Sequence, residues 1–307
     1  MVDHDLRILD AIVEAYKQDQ RRIRGLRETT LQSYERVIRP FLRTTLGEDP
    51  LDLTRLMPPD VVKFVTSFQD RYAASSITQT STALRSLFRF LRMKGYCDEK
   101  LELSVPTVAR WGRASLPRCL DEQQLKQVLE GFDRRSPCGQ RDLAMVLCLS
   151  TLGLRPRELA ELRLEDIDWR VGTLRLSMRK TRRGAVLPLP REAGEALVTY
   201  LQKGRPETTE RRVFVQHGNR RAGTAISAPA ITAAVMRAMR RAGVDSPLGG
   251  AYVFRHTVAG RLVKRGAPLK EVADFLGHQS LDTTTIYAKL DLPALQDVAL
   301  PWPEVSP

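Results

Sequence analysis

The chain has 307 residues, 42% of them hydrophobic and 28% charged, a soluble globular balance with length for two domains of ordinary size. No apolar run approaches the roughly 20 residues of a membrane helix, which excludes a membrane-spanning helix, and no membrane partner is expected. The start, MVDHDLRILD, is acidic and lacks an apolar signal core, so the expected location is cytoplasmic. The net charge is +13, and 39 of the 49 basic residues are arginines. Guanidinium groups favour bidentate grip on phosphate, which makes nucleic acid the expected partner. The excess is uneven: residues 1–110 hold 18 basic against 15 acidic side chains, and the remainder 31 against 21. Cys97, Cys119, Cys138 and Cys148 are too far apart for a metal knuckle or a redox pair and are expected to be reduced thiols.

The first part reads as helices. Leu6, Leu9, Ile12, Val13 and Tyr16 form one helical stripe, and Thr29-Thr30 opens a second through Tyr34, Val37, Ile38 and Phe41, stopped near Gly47 and Pro50. Pro58-Pro59-Asp60 starts a third helix with Val61, Val62, Phe64 and Val65. Ser75-Ser76 starts a fourth, in which Leu84, Leu87, Phe88 and Leu91 share a face before Gly95. Its other face carries Arg85, Arg89, Arg92 and Lys94, either a solvated surface or one turned to DNA. The stretch SVPTVARWGRASLPRCL, rich in proline and arginine, marks a linker. The chain therefore divides into residues 1–104, a linker at 105–118, and residues 119–307.

The second part mixes helix and strand. Asp121 caps a helix through Leu125, Val128 and Leu129, and RDLAMVLCLSTLGL is apolar enough to be a buried helix. Leu174, Leu176 and Met178 alternate with Arg175 and Ser177 as a half-buried strand. KTRRG turns the chain, and AVLPLP returns it, with Pro188 suited to a sheet edge. Helical segments follow from about Arg191, Ala228, Tyr252 and Leu269, then through Tyr287.

Five short segments carry the chemistry-bearing residues: TLGLRPREL at 151–159, RKTRRG at 179–184, YVFRHTVAG at 252–260, LGHQS at 276–280 and TTTIYAKL at 283–290. In this order and spacing they resemble the catalytic domain of the tyrosine recombinases, the phage-integrase family. The helical first part resembles that family's core-binding, SAM-like domain, so the resemblance covers nearly the whole chain. It implies a mainly α fold with a small antiparallel β-sheet: a helical DNA-binding domain followed by a mixed α/β catalytic domain. It further implies site-specific breakage and rejoining of double-stranded DNA through a covalent 3′-phosphotyrosine. No metal, ATP or other cofactor is expected, because the phosphotyrosine conserves the energy of the broken bond. A tetramer of like or partner recombinases on DNA is also implied.

Phosphoryl transfer asks for positioning, charge stabilisation and a proton donor. By resemblance Arg155 and Arg255 clamp the scissile phosphate. Arg155 precedes Pro156, placing its guanidinium near a helix start, where a surface ion pair with Glu158 is the plain alternative. Glu158 itself could orient an arginine. Lys180, at the hairpin tip, matches the lysine that protonates the leaving oxygen, with Arg179, Arg182 and Arg183 as further phosphate contacts. His278 matches a phosphate-contacting histidine, and Tyr287 matches the nucleophile, whose phenolate the neighbouring arginines are expected to favour. The usual pattern around the second arginine is H-x-x-R, but Tyr252 occupies the histidine's position. A phenol is a poor base at neutral pH, so the general base is in doubt. His256 follows Arg255 and, about 100° around a helix, is expected to be structural. After Leu290 a short helical run between prolines, with Leu295 and Val298, is expected to dock on a neighbouring protomer or pack in cis. Two other readings stand beside the recombinase: a catalytically silent DNA-binding relative, and a type IB topoisomerase-like enzyme that relaxes supercoils.

Overall fold

Amphipathic helices build the N-terminal part. The computed structural model describes residues 2–46, 52–68, 72, 74–97, 100–107, 117, 119–176, 184–218, 220–245, 250–278 and 283–290. The chain falls into two compact units, Met1–Gly112 and Arg113–Pro307. In the first, α1 (Val2–Arg24), α2 (Glu28–Leu46), α3 (Pro58–Thr66), α4 (Ala74–Met93) and the single turn α5 (Lys100–Leu103) follow one another. The stripes read from the sequence bury together: Val13 and Tyr16 of α1, Ile38 and Phe41 of α2, Val61 and Val65 of α3, and Leu84, Leu87 and Phe88 of α4 share one core. Phe41 meets Phe64 and Phe88 edge-on at 5.1 and 5.6 Å, a favoured aromatic geometry. The buried Tyr16 hydroxyl donates to Ser86 Oγ at 2.8 Å, so that polar atom is not stranded. Pro58 and Pro59 sit where a helix needs no N–H donors, and the Asp60 carboxylate accepts the Met57 N–H at 3.0 Å to cap α3.

On α4, Arg85 donates to the Val105 and Pro106 carbonyls and to Thr107 Oγ1, fastening the chain after α5. Arg89 pairs with Glu102 of α5. Both arginines thus have partners inside their own unit.

In the second unit Asp121 caps α6 (Glu122–Glu130), accepting the Gln124 N–H at 2.7 Å. The apolar run forms α7 (Pro137–Leu152), in which every residue from Ala144 to Ser150 is buried. Then come α8 (Pro156–Glu161) and a sheet of order β1-β2-β3, built from β1 (Ile167–Asp168), β2 (Thr173–Leu176) and β3 (Ala185–Pro188). All pairings are antiparallel, with Leu174 opposite Leu187 and Arg175 opposite Val186. Leu174, Leu176 and Leu187 point into the core while Arg175 and Val186 face water. Pro188 lies on the edge strand, where its missing N–H costs no ladder bond. The expected hairpin is therefore β2–β3 with a third, two-residue strand added. Its tip, including Met178, Arg179, Lys180, Arg182 and Arg183, lies outside the described residues, as do Leu295 and Val298 of the tail.

Among the described residues, α9 (Arg191–Thr199), continued by a π-helical turn at Tyr200–Gly204, is followed by α10 (Ala228–Arg241), α11 (Tyr252–Lys264) and α12 (Leu269–Leu276). Tyr287 lies on a 3-10 helix, Thr285–Leu290. Its ring is fully buried in a small cluster with Val258, Ala259, Val263, Val272 and Leu276. Gly260 makes this approach possible: a Cβ there would stand 3.0 Å from Cys119 Sγ and 3.1 Å from Leu290 Cδ1. Among the described residues no helix is long and apolar enough to cross a membrane, and no group of side chains could hold a metal ion.

Candidate active site

Two helix ends gather the two arginines. Helix α7 stops at Gly153, which takes a left-handed φ of +61°, and α12 stops at Gly277 with φ +64°. Such caps turn the last carbonyls out of the helix, leaving acceptors at the negative end of the dipole. Arg255 of α11 is buried and donates from Nη1 to the Gly153 carbonyl at 2.7 Å and from Nη2 to the Leu276 carbonyl. Arg155, the residue before α8, donates from Nη2 to the Gly277 carbonyl at 3.1 Å and from Nη1 toward that of Leu276 at 3.5 Å. Both guanidinium groups therefore converge on the C-terminus of α12. Pro156 occupies the first turn of α8 as expected.

Glu158 joins this assembly from below. Its carboxylate accepts from Arg155 Nη1 at 2.6 Å and from the Arg155 backbone N–H at 2.9 Å. The ion pair weighed from the sequence is thus formed, but Glu158 is buried, so the pair locks Arg155 in orientation rather than decorating a surface.

The glycine at the first helix end is testable. A Cβ on Gly153 would lie 2.8 Å from Leu276 Cδ2 and 3.4 Å from Val258, in a backbone conformation that L side chains rarely adopt. Gly153→Ala is expected to cost about 1–3 kcal/mol in chemical denaturation, from left-handed strain and overpacking together. It also shifts the carbonyl that holds Arg255, so activity should fall at temperatures where the variant is still folded.

His278 follows the α12 cap, its N–H donating to the Ala273 carbonyl at 2.9 Å and its Nδ1 lying 2.6 Å from Thr284 Oγ1. Burial pushes its pKa down to about 4, and the charges of Arg255 and Arg155 act in the same direction. His256 is lowered for the same reasons, burial first and then Arg255. Both rings are neutral at pH 7. The folded protein binds fewer protons than the unfolded chain once pH drops below the ordinary histidine value of 6.5, so stability present above that value is lost as pH falls toward 4. The unfolding temperature is expected to decline from pH 7 to pH 4.5, and less steeply in His278→Gln.

Tyr287 departs from expectation in two ways. Burial raises its phenol well above the ordinary tyrosine range, and Arg255 offsets this only in part, so the resting side chain is a neutral phenol rather than a favoured phenolate. Its Oη lies 2.7 Å from His256 Nδ1. His256 does point away from Arg255, but toward the tyrosine, not into an inert packing position. The adjacent pair Arg255-His256 was the available signal; which ring the histidine meets depends on the return of the chain at 285–290. Cys119 closes the back of this pair, its thiol donating to the His256 carbonyl at 3.2 Å. Tyr252, at the first turn of α11, is half exposed.

Arg155, Glu158, Arg255, His278 and Tyr287 are thus brought into one neighbourhood of the C-terminal unit, with Tyr252 at its edge. The chain is similar to known proteins over nearly its whole length. Residues 118–292 match the phage integrase family, and residues 13–95 match the phage integrase N-terminal SAM-like domain. A putative integrase/recombinase y4rA of Sinorhizobium fredii is 38% identical over 98% of this chain and 73% of its own length. The tyrosine recombinase XerD of Listeria monocytogenes is 28% identical over 90% of this chain and 92% of its own. In fold, the chain is similar to a lambda integrase dimer bound to a COC′ core site, with a TM-score of 0.68 at 18% identity, covering 89% of this chain and 95% of that one. It is also similar to the XerH site-specific recombinase bound to a palindromic difH substrate, with a TM-score of 0.70 at 18% identity, covering 93% and 83%.

Proposed function

The chain belongs to the phage integrase family, the tyrosine recombinases, and we propose that it is a site-specific DNA recombinase in which Tyr287 is the nucleophile. The observation that carries the residue assignment is the convergence of Arg155 and Arg255 on one helix end, with Tyr287 close enough to feel the Arg255 charge. A guanidinium has five donors in a planar fork, so anchoring on carbonyls is compatible with holding a phosphate. A DNA phosphate seated there places its phosphorus before two cations that stabilise the added charge of the transition state.

Cleavage then runs as an in-line displacement. Tyr287 Oη bonds to phosphorus, the 5′ oxygen leaves, and the 3′ phosphate stays on the enzyme. His278 donates to the phosphate and Lys180 protonates the leaving oxygen, while Glu158 holds Arg155 in register. Rejoining reverses the displacement with a 5′ hydroxyl from another strand, so neither ATP nor metal enters. Each unit contributes basic side chains to DNA binding: Arg85 and Arg89 on α4 in the first, and Arg179, Arg182 and Arg183 between β2 and β3 in the second. Recombination joins two duplexes, which calls for four protomers, like or mixed, acting in the cytoplasm. The segment after Leu290 is suited to linking them.

A suicide duplex, nicked so that the strand piece after the cleavage point is lost, tests the reading. Built from the DNA flanking the gene, it should yield a covalent protein–DNA adduct that survives denaturation. A protein that binds this duplex without forming an adduct would be the silent relative, and relaxation of supercoils without site preference would mark a topoisomerase instead.

A further inference from the structure

We propose that His256 is the general base of the cleavage step, its Nδ1 taking the Tyr287 phenolic proton as Oη bonds to phosphorus. This rests on the recombinase reading and supplies what that reading lacks. The position three before Arg255, where the family pattern has a histidine, holds Tyr252, a half-exposed phenol in place of an imidazole. One helical turn further along the same face of α11 stands His256, and its Nδ1 is already 2.7 Å from the nucleophile's oxygen. That is direct proton-transfer distance in the resting protein.

The surroundings fix the pair. The two rings are tilted by 49° with centroids 5.7 Å apart, and Tyr287 is buried while His256 is part-buried. The His256 carbonyl is held by the Cys119 thiol, and Gly260, one turn on, lets the 3-10 helix of Tyr287 lie against α11. Among the described residues, the charged and titratable groups near the pair are Arg255 on the histidine's own helix, Cys119 before α6, His278 after α12 and Tyr287 itself, and none of these is a carboxylate. Burial and the Arg255 charge both disfavour a resting imidazolium. The tautomer assigned is the one protonated at Nε2, with the Nδ1 lone pair accepting from the phenol.

The step balances. The Oη–P bond forms and the P–O5′ bond breaks; the phenolic proton passes to Nδ1, and the leaving oxygen takes a different proton, from Lys180. In rejoining, the imidazolium returns its proton to Oη as the phosphotyrosine bond breaks. Transfer in the resting protein is uphill, since burial disfavours both phenolate and imidazolium, so the proton moves only as phosphorus takes up the charge of the oxygen. The nucleophile is thereby kept neutral until a phosphate is in place.

The experiment uses the full chain and two suicide duplexes, one ordinary and one with sulfur in place of the bridging 5′ oxygen. A thiolate leaves without a proton, so loss of the leaving-group acid is rescued by sulfur and loss of the nucleophile's base is not. His256→Asn and His256→Gln both keep a hydrogen-bonding group beside Tyr287, and the one that binds duplex with unchanged affinity is read. Adduct formation is expected to slow by about 10²- to 10⁴-fold on both duplexes, while Lys180→Ala regains its rate on the sulfur substrate. A histidine variant within threefold of the unchanged protein, or one rescued by sulfur, would overturn the proposal. Absence of adduct from the unchanged protein would overturn the recombinase reading along with it.

Discussion

Tyr287→Phe should abolish covalent attachment to DNA while leaving the fold standing. Loss of a covalent nucleophile removes the reaction path itself, so the expected drop is on the order of 10⁶-fold, limited by assay background. The phenyl ring fills the same space in the cluster of Val258, Val263, Val272 and Leu276, so packing is retained. What is lost is the hydroxyl at His256 Nδ1, and an unpaired ring nitrogen there costs about 1–2 kcal/mol. Duplex binding by gel shift should be unchanged, and the unfolding temperature should move by only a few degrees. A Tyr287→Phe variant that still formed adduct would remove Tyr287 from the chemistry.

Arg255→Ala should fail twice over, in activity and in stability. The guanidinium is the second cation at the proposed phosphate site, and removing one such charge costs about 10²- to 10³-fold or more in cleavage. It is also a structural tie between α11, the end of α7 and the end of α12, through the Gly153 and Leu276 carbonyls. Truncation takes the Arg255 donor from the Gly153 carbonyl and leaves the Leu276 carbonyl only the long contact from Arg155, for an expected loss of about 2–4 kcal/mol in denaturant titration. Arg255→Lys separates the two effects. A single ammonium keeps the charge but cannot span two carbonyls and a phosphate, so stability should recover further than activity. Equal recovery of both would argue that Arg255 acts only as a tie.

The first unit was largely legible because its helices are amphipathic: the residues spaced three and four apart are the residues buried. The buried helix α7 was legible from its apolar run, and the edge position of β3 from a proline that has no N–H to pair. Strand β1 was not, since Ile167-Asp168 is too short to show an alternating pattern and exists only by pairing with Leu174 and Thr173. At the site, the resemblance of short motifs to one family singled out the arginines, His278 and Tyr287, and the structure brings these side chains into one neighbourhood. Their electrostatics were not legible. The phenol of Tyr287 was expected to be eased toward phenolate by arginines, but desolvation outweighs Arg255, and the sequence does not show burial depth. His256 illustrates the same limit: helical phase says which way it leaves α11, and only the tertiary return of residues 285–290 says what it meets.

The most direct measurement is peptide mapping of the trapped adduct. The suicide complex is digested with protease and nuclease, and the peptide bearing the nucleotide is sequenced by mass spectrometry. The account predicts one modified residue, Tyr287, linked through its phenolic oxygen to a 3′ phosphate. Attachment at the exposed Tyr252 or at any other side chain, or linkage to a 5′ phosphate, would contradict it.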